Sequence, residues 1–208
     1  MTRIKVCGIT RVDDAKAAAL AGATMIGMVF WPESPRAVSI DAARGVAAAL
    51  PAGVAPIGVF VNQSVDEINE IAVAVGLLGV QLHGDEPASV IPQINRPVIR
   101  ALHLDGSDTM SDLPSHVTVL LDAADPVRRG GTGQTINWRA AGAVARRRPI
   151  VLAGGLTPAN VEAAIETVRP YGVDVSSGVE TEPGVKDYGK IRAFVEAVRR
   201  ADRTGGGE

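Results

Sequence analysis

Eight short apolar, β-branched runs recur along the 208 residues, separated by stretches with helical periodicity. The runs are nearly continuous rather than alternating, as in parallel strands covered on both faces. Together with a repeat of roughly 25–30 residues, this predicts an α/β fold: a single (β/α)8 TIM barrel, an eight-stranded parallel sheet with outer helices. An open doubly wound sheet is the rival, and it needs fewer strands. Eight well-spaced runs, with no break in composition between the halves, favour the barrel.

The strands are read over residues 4–8, 25–30, 55–61, 78–83, 97–102, 117–122, 149–154 and 172–177. Helical periodicity marks residues 12–23, 40–50, 64–76 and 157–168. Thr10, Ser64 and Thr157 are suitable N-caps, and Ser64 and Glu67 have capping-box spacing. A fifth helix around 108–113 is short and poorly marked. The barrel is expected to occupy residues 1–202, with 203–208 as a flexible tail ending in TGGGE.

Composition narrows the function. The chain is 46% hydrophobic and 21% charged, which suits a globular protein with a sizeable core. A net charge of −2 gives no general basic surface, so neither nucleic acid nor a membrane is an expected partner. The longest apolar runs are too short to span a bilayer, and the N-terminus has no long apolar signal segment. Localisation is expected to be cytoplasmic. One cysteine and three scattered histidines give no convincing ligand cluster, so no metal is expected.

In a barrel, active sites lie at the C-terminal ends of the strands. Those ends supply Cys7, His83, Asp122, the Gly154-Gly155 pair and the Ser176-Ser177-Gly178 run. The segments LAGGLTPANV (152–161) and DVSSGVE (174–180) place small residues with free N–H groups after strands seven and eight. Such loops commonly bind phosphate in barrels, although glycines there also serve simply to turn the chain. A third glycine-rich loop, RRGGTGQTINW (128–138), has the character of a loop that closes over a substrate.

Cys7 and Asp122 end strands one and six and suggest acid–base chemistry. A thiol is partly ionised at neutral pH, and a carboxyl group in a closed barrel mouth is pushed by desolvation toward the form that donates a proton. Taken alone, a single cysteine reads as a small buried hydrophobe. Asp122 reads equally as a turn cap, with Asp125 a competing acid. His83 is a hydrogen-bonded strand-end residue or a substrate contact. Arg36, in the loop after strand two, is a surface residue or the holder of a carboxylate. Asp174 sits inside strand eight, where a buried acid needs a partner.

In combination these pieces form a signature. KVCGIT, GMVFWPESPR, GVFVN, VQLHGDE, LLDAADP, GGTGQTINW, LAGGLTPANV, VDVSSGVE and PGVKD occur in order between Ile4 and Val198. In that order and spacing the chain resembles the phosphoribosylanthranilate isomerase family of tryptophan biosynthesis. The resemblance implies a barrel that uses no cofactor. It implies an Amadori rearrangement of N-(5-phosphoribosyl)anthranilate to 1-(2-carboxyphenylamino)-1-deoxyribulose 5-phosphate. It further implies Cys7 as general base, Asp122 as general acid and Arg36 facing the anthranilate carboxylate. Gly154, Gly155, Ser177 and Gly178 would hold the phosphate, with His83 and Asp174 as further substrate contacts. The only expected partner is the small phosphoribosyl substrate, bound by a monomer or homodimer. Gln134 stands where relatives often carry a lysine. An indole-glycerol-phosphate synthase would lean on a catalytic lysine and glutamates, and a non-catalytic phosphosugar-binding protein would be expected to lose Cys7 or Asp122; neither is lost.

Overall fold

The structure is a computed structural model that describes residues 1–103, 110, 113–122 and 136–204. Eight parallel strands close into a barrel in sequence order: β1 (Arg3–Val6), β2 (Met25–Val29), β3 (Ala55–Phe60), β4 (Gly79–Leu82), β5 (Val98–His103), β6 (Thr118–Asp122), β7 (Ile150–Leu152) and β8 (Gly172–Val175). Closure is made by β1 against β8, with Arg3 opposite Gly172 and Val6 opposite Val175. The barrel expected from the sequence is thus present, and each predicted strand matches an observed one to within three residues at either end.

Among the described residues, six α-helices surround the barrel: α1 (Val12–Ala21), α2 (Ile40–Ala48), α3 (Val65–Val75), α4 (Trp138–Ala145), α5 (Val161–Val168) and α6 (Tyr188–Thr204). After β4 the chain forms a 3-10 helix, Ala88–Gln93, and Pro92 within it denies the backbone a donor. Helical structure continues to Thr204, so the expected boundary at residue 202 falls inside α6. No described helix is long and apolar enough to cross a membrane.

Strand alternation sorts side chains into two layers. Ile4, Val6, Ile26, Met28, Val80, Leu82, Val119, Leu121 and Val173 pack outward into the main core beneath the helices. Ile57, Ile99, Ala101, Leu120, Val151 and Ala153 form a second cluster inside the barrel. Above it lies a small apolar group of Cys7, Val29 and Val59, with Trp31 packed against it. The barrel is therefore packed at its floor and opens where the strands end.

Two predicted caps are corrected. Thr10 does not cap α1; the N-cap is Arg11, with no side-chain hydrogen bond, and the Thr10 hydroxyl donates instead to Gly184 O at 2.6 Å. Thr157 does not cap α5, which begins four residues later with Asn160 as N-cap. Asn160 Oδ1 accepts from Thr157 N, and its amide donates to Gly155 O, so Asn160 ties the glycine loop to the helix start. Ser64 does cap α3, accepting from Glu67 N. Asp125, Gln134 and the GGTGQT stretch lie outside the described residues, as does most of the expected fifth helix.

Candidate active site

At the C-terminal ends of the strands a cavity of about 730 Å³ opens. Cys7 follows β1, Arg36 lies in the loop after β2, His83 follows β4, Asp122 ends β6 and Asp174 belongs to β8; all five line it. Val29, Trp31 and Val59 form an apolar wall, a surface suited to a flat ring. Ser176 and Ser177 line the cavity, whereas Gly154, Gly155 and Gly178 are not among its described lining residues.

Cys7 stands next to a buried ion pair. Lys5, two residues earlier on the same inward face, is fully buried, and its Nζ donates to Asp174 Oδ2 at 3.0 Å. A buried ammonium is tolerated only when paired in this way. Burial opposes the Lys5 charge, but Asp174 and the Cys7 thiolate more than offset it and raise its pKa above the ordinary value. Burial pushes the Cys7 thiol up, Lys5 pulls it down, and Asp174 adds to the rise; the thiol remains above its ordinary value. Gly27 makes room for this arrangement. A Cβ there would lie 2.8 Å from Cys7 Sγ and 3.1 Å from Lys5 Nζ.

A second charged chain crosses the mouth. Arg36 donates in a fork to Glu180, from Nε to Oε1 at 2.9 Å and from Nη2 to Oε2 at 2.7 Å. Glu180 opens the hairpin of β9 (Glu180–Glu182) and β10 (Val185–Lys186). Lys186, also buried, donates to Glu180 Oε1 at 2.7 Å and to the Cys7 carbonyl at 2.6 Å. The hairpin thus links the backbone under Cys7 to the Arg36 guanidinium. Gly8, at φ +71, lets Arg36 pass: a Cβ there would stand 2.4 Å from Arg36 Cδ.

Burial alone would raise the Glu180 pKa, but Arg36 and Lys186 hold it below its ordinary 4.5. The ion-pair contribution is therefore fully present above about pH 4.5 and is lost as pH falls through the lower folded value. Glu180→Gln should be less stable than wild type near neutral pH, and chemical denaturation should show the gap closing in acid. A gap of the same size at every pH would show that the Glu180 charge contributes nothing.

Across the cavity, Gln81 Nε2 lies 2.7 Å from His83 Nδ1, and His83 Nε2 lies 3.5 Å from Asp122 Oδ2. With the Gln81 amide donating, the ring proton falls on Nε2, which faces the Asp122 carboxyl. The spacing is longer than an ordinary hydrogen bond.

The chain matches the family model for N-(5'-phosphoribosyl)anthranilate (PRA) isomerase over residues 4–197. It belongs to the PRA isomerase family. Curated PRA isomerases from Pseudomonas fluorescens and Geobacter metallireducens are 48% and 43% identical to it. The alignments cover 97% of this chain and 98% of the first protein, and 96% of this chain and 100% of the second. Among solved structures, a PRA isomerase from Thermotoga maritima superimposes with a TM-score of 0.87 at 38% identity, covering 96% of this chain and 100% of that one. A PRA isomerase in complex with reduced 1-(o-carboxyphenylamino)-1-deoxyribulose 5-phosphate gives 0.83 at 38% identity, with the same coverage.

Set against this PRA isomerase frame, the sequence-derived site divides in two. Cys7, Arg36, His83, Asp122, Asp174 and Ser177 meet in one cavity. The glycines are not among its described lining residues; Gly154 and Gly155, after β7, adopt left-handed backbone at φ +80 and +59. A Cβ on Gly178 would lie 2.0 Å from Leu156 O, so the turn after β8 is pressed against the loop after β7. Sequence reasoning gave no role to Lys5, Gln81, Glu180 or Lys186. The available signal was charge or amide on short apolar strands, where burial requires a partner.

Proposed function

We propose that this chain, through Cys7 and Asp122, performs the reaction of its family: the Amadori rearrangement of N-(5-phosphoribosyl)anthranilate to 1-(2-carboxyphenylamino)-1-deoxyribulose 5-phosphate. The observation that carries the reading is the convergence of the chain's single thiol, Asp122 and Arg36 on one cavity at the barrel mouth. Asp122 gives a proton to the furanose ring oxygen, the C1′–O bond breaks, and a Schiff base forms. Cys7, as thiolate, removes the proton from C2′ and leaves an enolamine. The enolamine tautomerises to the ketone, and the isomerisation has no net gain or loss of protons. Acid–base chemistry alone balances the reaction, so the reading calls for no cofactor.

The remaining residues bind. Nε and Nη2 of Arg36 are taken by Glu180, so its remaining N–H groups face the anthranilate carboxylate. Trp31, Val29 and Val59 flank the ring. His83 and Asp174 contact the sugar. The phosphate sits at Gly154, Gly155, Ser177 and Gly178, where backbone N–H groups are accessible without Cβ atoms. The protein acts in the cytoplasm as a monomer or homodimer on this small substrate.

The test of the activity is fluorescence of phosphoribosylanthranilate made in situ. Wild type should remove the signal at a rate proportional to enzyme. No turnover, with phosphosugar still bound, would make this a binding protein. The phosphate assignment has its own test. Gly178→Ala should raise KM roughly tenfold and lower the thermal midpoint by a few degrees, because the methyl forces the two loops apart. Unchanged KM would move the phosphate elsewhere.

A further inference from the structure

Cys7 lines the cavity, yet it is largely buried and stands among charges contributed by several elements. Lys5 comes from its own strand, Asp174 from β8, Lys186 from β10 and Arg36 from the loop after β2. His83 and Asp122 line the same cavity from β4 and β6. Only Lys5 combines full burial, an inward position two residues away and a place beside the sulfur. Lys5 Nζ and Cys7 Sγ flank the notch over Gly27, within about 6 Å of one another, the range over which an opposite charge favours ionisation. Lys186, by contrast, spends its short contacts on Glu180 Oε1 and the carbonyl oxygen of Cys7.

We propose that Lys5 is the positioning residue for Cys7: its ammonium, anchored by Asp174 Oδ2, is held under the sulfur so that the thiolate can form inside the barrel. The inference rests on the reading of Cys7 as the base. Lys5 itself does not reach the open cavity. It acts through the sulfur, and Asp174 fixes where the charge sits. The opposing influences on the thiol fit this division, with Lys5 favouring the anion and Asp174 opposing it. The two members of the ion pair therefore shift the thiol in opposite directions. A purely structural pair would not do so, because loss of either partner would disturb the site alike.

The chain has one cysteine, so alkylation reports Cys7 alone. The rate of iodoacetamide alkylation against pH gives the thiol midpoint. In Lys5→Met, which keeps the apolar stem and removes the charge, the midpoint should rise by about one pH unit or more. In Asp174→Asn it should fall. Near neutral pH, Lys5→Met should lower kcat roughly tenfold with little change in KM, and raising the pH should recover part of the loss. If Lys5→Met does not fold, the double variant Lys5→Met/Asp174→Asn removes both charges together. Its midpoint should stay above wild type, since Lys5 has the larger influence.

Midpoints that do not move in Lys5→Met or the double variant would overturn the proposal, as would an upward shift in Asp174→Asn. Failure of the underlying reading looks different: Cys7→Ala would then turn over substrate like wild type, whatever the alkylation midpoints.

Discussion

Cys7→Ala should abolish measurable isomerase turnover while leaving the barrel folded. The fold is expected to tolerate the change because little packing is lost. Cys7 lines the cavity and belongs to a small cluster with Val29 and Val59, and the main core lies on the other face of β1. The backbone at Cys7 keeps its supports, with its N–H donating to Val175 O at 2.8 Å and its carbonyl accepting from Lys186. The ion pair of Lys5 and Asp174 also survives. What disappears is the base proposed to take the C2′ proton. General bases of this kind contribute about 10²- to 10⁴-fold, so kcat should fall by at least that much. KM and the affinity for a reduced product analogue should change little, since the carboxylate and phosphate contacts are untouched. Cys7→Ser separates nucleus from shape: a hydroxyl of similar size is far harder to ionise and should be nearly as inactive. The phosphoribosylanthranilate fluorescence assay measures all three proteins. Equal turnover by wild type and Cys7→Ala would return the thiol to the core.

Much of this architecture was legible in the sequence, and the reason is physical. Parallel strands buried on both faces need unbroken apolar runs, and IKV, MIGMV and APIGVF are such runs. Chemistry at the barrel mouth needs polar residues where the runs stop, which marks Cys7, His83 and Asp122 as candidates, although each also has a purely structural reading until the whole signature is taken together. Helix starts were harder. Thr10 and Thr157 have the right chemistry for caps, but the Thr10 hydroxyl goes to the distant Gly184 carbonyl, and α5 starts only after Asn160, whose side chain accepts from the Thr157 N–H instead. The supporting charges were least legible. Lys5 finds Asp174 across 169 residues, Arg36 finds Glu180 across 144, and Lys186 finds the Cys7 carbonyl across 179. Only barrel closure brings these partners together, and no local pattern encodes them. Arg36 shows the consequence: sequence logic offers it whole to a carboxylate, whereas the fold has already committed one edge of it to Glu180.

Asp122→Asn should be as damaging to turnover as loss of the thiol, with a different signature. The amide has the shape of the carboxyl group and can still accept a hydrogen bond. It cannot deliver a proton to the furanose ring oxygen, so ring opening stalls before Cys7 has a C2′ proton to remove. A drop in kcat of about 10²- to 10⁴-fold with a modest change in KM is expected. Folding should persist, because Asp122 ends β6 opposite His103 and its main chain keeps the ladder position whatever the side chain. Two variants make the assignment specific. Asp125→Asn, three residues further along, should retain most activity. His83→Asn should fall between the two, since its ring faces the Asp122 carboxyl at 3.5 Å and is proposed to contact the sugar but not to deliver the proton. If Asp125→Asn were inactive and Asp122→Asn turned over, the acid would be Asp125, and Asp122 would be a strand-end residue ordering His83. Single-turnover measurements decide further. A variant blocked at ring opening accumulates bound substrate, whereas Cys7→Ala accumulates the opened Schiff base, so the two damaged enzymes should stop at different species along one path.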